Sequence, residues 1–310
     1  MAITAGMVKE LREMTGAGMM DCKKALSETN GDMDAAVEFL RKNGQAKAEK
    51  KASRIAAEGI VKVAVKDNSA AIVEVNSETD FVAKNEKFQT FVEKVAQQAL
   101  ASDAADMDAF MEEKWIEDNS KSVKDILVEQ VAVIGENLKI RRFEKVTAEN
   151  GCVVDYIHGG GRIGVVVVAE TATVNDTVQE ALKNLAMQIA ALNPKYIDRS
   201  EVSADYIAHE KEILLAQIKN DPKESQKPEK VINGMIEGRI NKELKEICLV
   251  DQVYVKAEDG KQTVAKYLEA VSKEVGTPVS IKKFIRFETG EGLEKKNEDF
   301  AAEVAAQMNA

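Results

Sequence analysis

The chain has 310 residues, a length typical of two or three domains with small cores. Its 45% hydrophobic and 31% charged residues are those of an ordinary globular protein, and its net charge of −10 argues against the broad basic face that nucleic-acid binding needs. No apolar run approaches the ~18 residues that span a bilayer, and the N-terminus lacks the layout of a secretory signal. Three widely spaced cysteines, Cys22, Cys152 and Cys248, fit free thiols in a reducing cytosol.

The N-terminal segment predicts three short helices. A glycine-rich break at 15–18 separates the first helix from a second over 19–26. Asp32 is the predicted N-cap of the third helix, and Asn43-Gly44 is its predicted stop. The lysine- and alanine-rich residues 46–57 then predict a helical tether. Because three helices in ~40 residues make a marginal core, we interpret this unit as an appended binding module.

The middle of the chain contains an internal duplication of predicted elements. Each half predicts two paired strands, a helix, a second helix and a final strand of alternating polarity. Alternation predicts half-exposed antiparallel sheets with helices on one face. The elements are strands 60–65, 70–75 and 138–143 with helices 85–101 and 123–134, and strands 152–157, 163–169 and 281–287 with helices 176–192 and 263–275.

Two segments interrupt this pattern. Residues 102–122 are acidic and predict a mobile or helical segment in which Phe110 and Trp115 pack locally. Residues 203–247 predict an antiparallel helical hairpin, whose small core favours a role in binding a partner or a second copy. Residues 298–309 predict a last amphipathic helix.

The most informative stretch is Thr79-Asp80-Phe81, which lies between a buried strand and a helix predicted from Lys84 onward. A short connection anchored at both ends is a common place for residues that contact a partner. Thr79 or Asp80 could instead cap the helix, and Phe81 could fold back as a hydrophobic staple. Spacing alone favours the cap, since caps are common.

Other motifs predict little chemistry. Residues 159–164 satisfy G-x-G-x-x-G, but a strand follows where a dinucleotide site needs a helix, so a hairpin turn is predicted and nucleotide binding is rejected. His158 and His209 are interpreted as a structural and a solvated residue, respectively. We predict no catalytic residue, no metal ligands and no cofactor.

Adjacent methionines suggest a contact surface on the second predicted helix. Met19 and Met20 cannot both face inward, so at least one is open to a partner. The pairs Lys23-Lys24 and Lys50-Lys51 are interpreted as solvated faces, with tRNA or an acidic partner as the alternative.

Two long motifs resemble the signatures of the bacterial elongation factor Ts family. They are Leu11-Arg12-x-x-Thr15-Gly16-Ala17-Gly18-Met19-Met20-Asp21-Cys22-Lys23-Lys24-Ala25-Leu26 and Glu74-Val75-Asn76-Ser77-Glu78-Thr79-Asp80-Phe81-Val82-Ala83-Lys84. The resemblance continues in order over essentially the whole chain, through 134–137, His158 with 162–165, 236–239 and 287–292.

The resemblance implies a guanine nucleotide exchange factor for elongation factor Tu in its GDP-bound and nucleotide-free states. It implies an α+β fold, no covalent chemistry, no cofactor, and neither membrane nor direct nucleic-acid binding. Self-association or a two-to-two assembly through the hairpin is a further expectation. The implied units are a ubiquitin-associated-like three-helix module with its tether at 1–54, a core N-subdomain at 55–147, a core C-subdomain at 148–288 with the hairpin inserted at 203–247, and a C-terminal module at 289–310.

The resemblance also implies roles for particular residues. Phe81 would wedge between side chains of a switch-region helix near the partner's magnesium ion, and Asp80 would hold that helix displaced. The residues implied to displace the magnesium ion are Thr79, Asp80, Phe81 and Val82. The implied contacts are Leu11, Met19 and Met20 with the nucleotide domain, Ile134, Gly135 and His158 near the phosphate loop, and Met235 and Ile236 from the hairpin. This chain departs from the family in having three glycines after His158, which affects where that histidine points.

Two functions from other classes compete with this expectation. A glycine-loop oxidoreductase or transferase would bind a nucleotide tightly by itself. A ubiquitin-like or nucleic-acid-binding adaptor would lose all activity without residues 1–54, whereas an exchange factor would keep some turnover through its core.

Overall fold

The computed structural model describes residues 3–294 and has the predicted α+β architecture. The helices are α1 (Ala5–Thr15), α2 (Met19–Glu28), α3 (Met33–Lys51), α4 (Asp80–Ala83), α5 (Glu86–Ala101), α6 (Met107–Glu112), α7 (Val123–Ile134), α8 (Asp176–Leu192), α9 (Ala204–Asn220), α10 (Glu229–Ile247) and α11 (Val264–Val275), with 3₁₀ turns at Arg199–Glu201 and Leu249–Asp251. The strands are β1 (Glu58–Lys66), β2 (Ser69–Ser77), β3 (Lys114–Trp115), β4 (Asp118–Ser122), β5 (Lys139–Thr147), β6 (Gly151–His158), β7 (Ile163–Glu170) and β8 (Ser280–Glu288). The predicted helix at 298–309 lies outside the described residues.

Two antiparallel sheets of the same order, β1-β2-β5 and β6-β7-β8, carry the duplicated pattern. Helix α5 packs on the first sheet and α8 on the second, in two apolar clusters with the same plan. The central strands divide their side chains by alternation: Val73 and Val75 of β2 face α5, and Val165 and Val167 of β7 face α8. The predicted duplication is therefore confirmed.

The sheets are not half exposed, so that expectation was wrong. Side chains on the second face of each sheet, including Ile72 of β2 and Val166 of β7, meet in a shared apolar cluster. The two sheets therefore pack face to face between the helix layers. Because their central strands are covered on both sides, β2 is buried continuously from Ala70 to Ser77.

The N-terminal helices surround a small core of their own, and the third runs further than predicted. Asp32 caps α3 as expected, but Asn43-Gly44 does not end it, and the helix continues to Lys51. Gly44 is buried because α3 crosses α7 there, and a Cβ on Gly44 would lie 3.4 Å from the Ala132 Cβ. The glycine thus serves close helix packing. The tether is helical only to Lys51, and residues 52–57 are not.

The acidic segment 102–122 contains more regular secondary structure than its sequence indicates. It contains α6 and a two-stranded hairpin of β3 and β4, which was not predicted. Phe110 and Trp115 were predicted to pack locally, but both are buried in the core of the first sheet, beside Phe143 and Phe91 respectively.

Helices α9 and α10 form the predicted hairpin between α8 and α11. Its apolar face is a separate cluster that includes Ile218, Ile236, Ile240 and Leu244. Among the helices of residues 3–294, none is long and apolar enough to cross a membrane.

Candidate functional site

One aromatic side chain projects into solvent where β2 ends. Phe81 is 81% exposed and lies on the one-turn helix α4. Its neighbours Val82 and Ala83 turn the other way, onto the core of the first sheet. Because that side of the turn is held by the core, the Phe81 side chain is directed outward. We call Thr79–Val82 the exposed turn.

The cap interpretation is confirmed in part. The Thr79 hydroxyl accepts a hydrogen bond from the Val82 amide at 3.3 Å, but it caps the short α4 and not the long helix. The long helix begins at Glu86, with Asn85 as its cap, and so starts later than Lys84. The staple interpretation of Phe81 is wrong, because that ring is exposed.

Asp80 carries the negative charge of the exposed turn. Lys84 Nζ donates a hydrogen bond to Asp80 Oδ2 at 2.6 Å, and this contact holds the pKa of the Asp80 carboxyl below its ordinary value. Asp80 is therefore ionised at neutral pH. Its side chain remains 53% exposed, so a partner can approach the same carboxylate.

The loop after α7 lies directly behind the exposed turn. The Glu136 carboxylate accepts hydrogen bonds from the Glu78 amide (3.0 Å), the Thr79 amide (3.1 Å) and the Thr79 hydroxyl (2.7 Å). In return, Glu78 Oε1 accepts from the Asn137 amide at 2.6 Å. We call these four bonds the clasp.

The clasp brings two predicted contact regions together. Ile134 and Gly135 immediately precede Glu136, and they are half-buried and exposed, respectively. The sequence predicted a contact role for Ile134 and Gly135 but none for Glu136 or Asn137. Their role depends on which two loops meet in the fold, a fact that no local pattern contains.

The N-terminal module reaches the same loop. Lys51, the last residue of α3, donates a hydrogen bond to the carbonyl of Gly135. Gly135 is the residue that ends α7, in the left-handed conformation. On this module Met19 and Met20 are 59% and 74% exposed, so both are open to a partner. Leu11 is different: it is fully buried in the three-helix core, and its side chain offers no surface for the predicted contact.

The glycine-rich stretch is a turn between β6 and β7, as the absence of a following helix predicted. Gly159, Gly160 and Gly161 all have positive φ, and the Gly161 carbonyl accepts from the Val61 amide at 2.7 Å. A Cβ on Gly161 would lie 2.8 Å from the Ile60 Cβ. The turn therefore needs glycine at 161, because it closes against β1.

His158 precedes this turn and is exposed, with the Tyr156 hydroxyl 2.9 Å from its Nδ1. The turn contacts β1 at Ile60, which pairs with Val75 of β2. Since Val75 is four residues before Thr79, His158 lies at the end of the sheets from which the exposed turn emerges. His209 is exposed on α9, as predicted.

We expect Gly161→Ala to lower the free energy of unfolding by about 2–4 kcal/mol, because the added methyl group meets β1 at a φ of +106°. Gly160→Ala is the matched control, since Gly160 also has positive φ but open space around it, and should cost only about 1–2 kcal/mol. Urea denaturation of both variants measures the difference. Equal losses would show that contact with β1 does not matter.

The hairpin residues belong to a different region. Ile236 is buried and Met235 half-buried within the apolar cluster of the hairpin. In the part of the chain that the structure describes, they share no packing cluster with the exposed turn. Contact through the hairpin would therefore be a second, separate area.

Comparison with known proteins agrees with the family resemblance of the two long sequence motifs. The model of a family described as elongation factor TS matches residues 78–291, which include the exposed turn, the clasp and the hairpin. The protein named Elongation factor Ts of Clostridium novyi is 52% identical over 309 residues, covering 99% of each chain. Those of Clostridium tetani and Clostridium kluyveri are 51% and 49% identical over 308 residues, again covering 99% of each chain. The chain therefore belongs to the elongation factor Ts family.

Proposed function

We propose that this chain is a translation elongation factor that binds GDP-bound elongation factor Tu and accelerates the release of GDP. The observation that carries the proposal is the exposed Phe81 on a turn whose opposite side is fixed in the core. A ring that is 81% exposed on a fixed turn is available to a partner, and aromatic side chains often dominate the binding energy at protein interfaces.

The proposed action needs no covalent step. Bound nucleotide is held through its phosphates and through a Mg²⁺ ion that joins them to the protein. A factor that binds the nucleotide-free form more tightly must weaken nucleotide binding by the same ratio, because coupling between two ligands is reciprocal. GTP can then load in place of GDP.

Different residues take different roles in this action. Phe81 inserts between side chains near the magnesium site of the partner, and Asp80 holds the displaced helix through its ionised carboxylate. Thr79 and Val82 fix the turn. A wider set of residues anchors the partner and must supply the free energy that holds it in a strained state. These residues are Met19, Met20, Ile134, Gly135, His158 and Met235.

Two predicted contact residues have buried side chains and take a different role in this proposal. Leu11 holds the three helices in the arrangement that exposes the methionines. Ile236 packs the two arms of the hairpin against each other.

Release of fluorescently labelled GDP from elongation factor Tu, with and without this protein, tests the proposal. We expect a large increase in the release rate at substoichiometric amounts, because an exchange factor turns over. An unchanged rate would contradict the proposal. Titration of the isolated chain with nucleotide is the companion measurement, since tight binding there would instead favour a nucleotide-using enzyme.

Asp80→Ala should reduce catalysed GDP release several-fold and leave the melting temperature of the protein nearly unchanged. The reason is that Thr79, not Asp80, caps α4, and the Asp80–Lys84 pair is exposed. Glu38→Ala removes a similar exposed acid–lysine pair in α3 and should alter neither quantity. A clear fall in melting temperature for Asp80→Ala alone would assign that carboxylate a structural role.

We also propose the hairpin as the site of self-association, alone or in a two-to-two complex. Ile213 and Val231 are exposed apolar residues on its two arms. Sedimentation of the protein with and without elongation factor Tu would distinguish a monomer, a homodimer and a larger complex.

A further inference from the structure

We propose that Glu136 is a positioning residue for the exposed turn: through the clasp it holds Thr79–Val82 in the conformation in which Phe81 points at the partner. This inference rests on the proposed function and extends it to a residue whose carboxylate is hydrogen-bonded to the exposed turn from within this chain.

The Glu136 carboxylate holds the turn through three bonds to two consecutive residues. One oxygen accepts from the amides of Glu78 and Thr79, and the other accepts from the Thr79 hydroxyl. Three donors around one carboxylate make charge-assisted bonds, which are stronger than neutral ones. The backbone just before α4 is therefore fixed at both residues.

The Thr79 hydroxyl links this hold to the helix itself. It donates its proton to Glu136 Oε1 at 2.7 Å and accepts from the Val82 amide at 3.3 Å. With its proton directed to the carboxylate, the hydroxyl presents a lone pair to Val82. Glu136 thus orients the cap of α4, and Phe81 lies between the capping residue Thr79 and the capped residue Val82.

The clasp also works in the reverse direction. Glu78 accepts from the Asn137 amide at 2.6 Å, and the Arg54 guanidinium lies 3.4 Å from the same carboxylate oxygen. The Asn137 side chain donates to the Arg54 carbonyl at 2.8 Å. The residues before α4 and the loop after α7 each donate to and accept from the other, so the exposed turn cannot rotate about a single bond. The Asn137 side chain also bonds the Ala52 and Arg54 carbonyls, which connects the end of the tether to the same loop.

A turn of this length needs such a hold. Helix α4 has four residues, and a single helical turn is unstable by itself because nucleation fixes several residues for one hydrogen bond. If the turn were loose, its ordering would oppose every docking event. Because the clasp orders the turn when the protein folds, the free energy of ordering does not oppose docking, and the Phe81 ring is already in its binding position.

A double-mutant cycle between Glu136 and Phe81 tests the inference. We expect Glu136→Ala to reduce catalysed GDP release about tenfold in the native background, because misplaced contact groups lose much of their effect. In the Phe81→Ala background the same change should cost less than about twofold, because there is no ring left to position. Glu136→Gln should retain most activity, since its amide oxygen still accepts from both backbone amides.

A second readout does not depend on the partner. In the free protein, hydrogen exchange of the bonded amides of Glu78, Thr79 and Val82 should accelerate in Glu136→Ala and stay slow in Glu136→Gln, while the amides of α5 keep their protection. Exchange that is unchanged throughout overturns the inference. Loss of protection over the whole subdomain also overturns it, because Glu136 would then stabilise the fold generally.

The cycle and the exchange measurement separate this inference from the proposed function. Equal tenfold losses in both backgrounds would overturn the positioning role and leave the exchange function intact. If Phe81→Ala left catalysed GDP release unchanged, the wedge role of Phe81 would fail, whereas the exchange function itself fails only if the native protein does not accelerate GDP release. Accelerated exchange confined to 78–82 would still support the hold of Glu136 on the turn.

Discussion

Replacing Phe81 by alanine is expected to slow catalysed GDP release by about thirty- to one-hundred-fold, the loss that truncation of a dominant interface residue produces. The complex with nucleotide-free elongation factor Tu should weaken only several-fold, because the anchoring surfaces remain. Removing an interaction that is made mainly when the magnesium site is disturbed lowers the rate of GDP release more than it lowers the affinity for the partner. The melting temperature should not change, since the ring is 81% exposed and fills no part of the core.

Stopped-flow release of labelled GDP and titration of the nucleotide-free partner measure the two quantities separately. Val174→Ala is a matched control, because it shortens another exposed apolar side chain, 48% accessible, outside the exposed turn. Phe81→Leu should keep part of the activity, since leucine fills some of the same space. Parallel loss of rate and affinity, or loss of neither, would show that Phe81 is not a wedge.

The sequence predicted those features that local patterns determine. The bounds of α7 and α8 agree with prediction, because apolar residues recur there at helical spacing between clear caps, Ser122 and Asn175. The hairpin was also predicted from its two apolar stripes. At Thr79–Phe81, spacing alone favoured a cap and a staple, and the contact role of Phe81 came from the family resemblance; the exposure of the Phe81 ring excludes the staple.

Features that depend on distant parts of the chain were missed. Gly44 looks like a helix stop until α7 is placed beside it, where the absent side chain allows close packing. The buried interface between the sheets was missed because β5 and β8 alternate as half-exposed strands do. Glu136 has no local signal as a partner of Thr79, since 57 residues separate them.

Glu74 is another residue whose environment could not be predicted, and it gives the second large expected effect. It lies in the middle of β2, where an acid is unusual, and its side chain is fully buried. The carboxylate accepts from Arg141 (3.0 Å), Arg142 (2.6 Å), Asn76 (3.0 Å) and the Gly290 amide (2.8 Å). Burial alone would raise the pKa of Glu74, but these donors outweigh it and hold the pKa below its ordinary value.

This cluster joins the two sheets. Arg142 lies over the Phe287 ring of β8 at 4.1 Å and donates to the Glu288 carbonyl at 3.2 Å, so Glu74 fixes an arginine that bridges both subdomains. Gly290 enters the cluster through a close approach, since a Cβ there would lie 2.2 Å from the Ala57 carbonyl oxygen. The end of β8 is thereby held against the start of β1.

Glu74→Ala is therefore expected to lower the free energy of unfolding by about 3 kcal/mol, because it leaves two partly buried arginines without their acceptor. Glu144→Ala, which breaks the half-exposed pair with Lys283 between the same two sheets, is the control and should cost less than about 1 kcal/mol. Urea denaturation from pH 8 to pH 3 measures both. Because the folded pKa of Glu74 lies below its unfolded value of about 4.5, its contribution is fully present above that pH and is lost as the pH falls through the folded pKa. The difference in free energy of unfolding between the native protein and Glu74→Ala should accordingly stay constant down to about pH 5 and shrink below it. If Glu74→Ala cost no more than the control at pH 7, the cluster would not hold the sheets together.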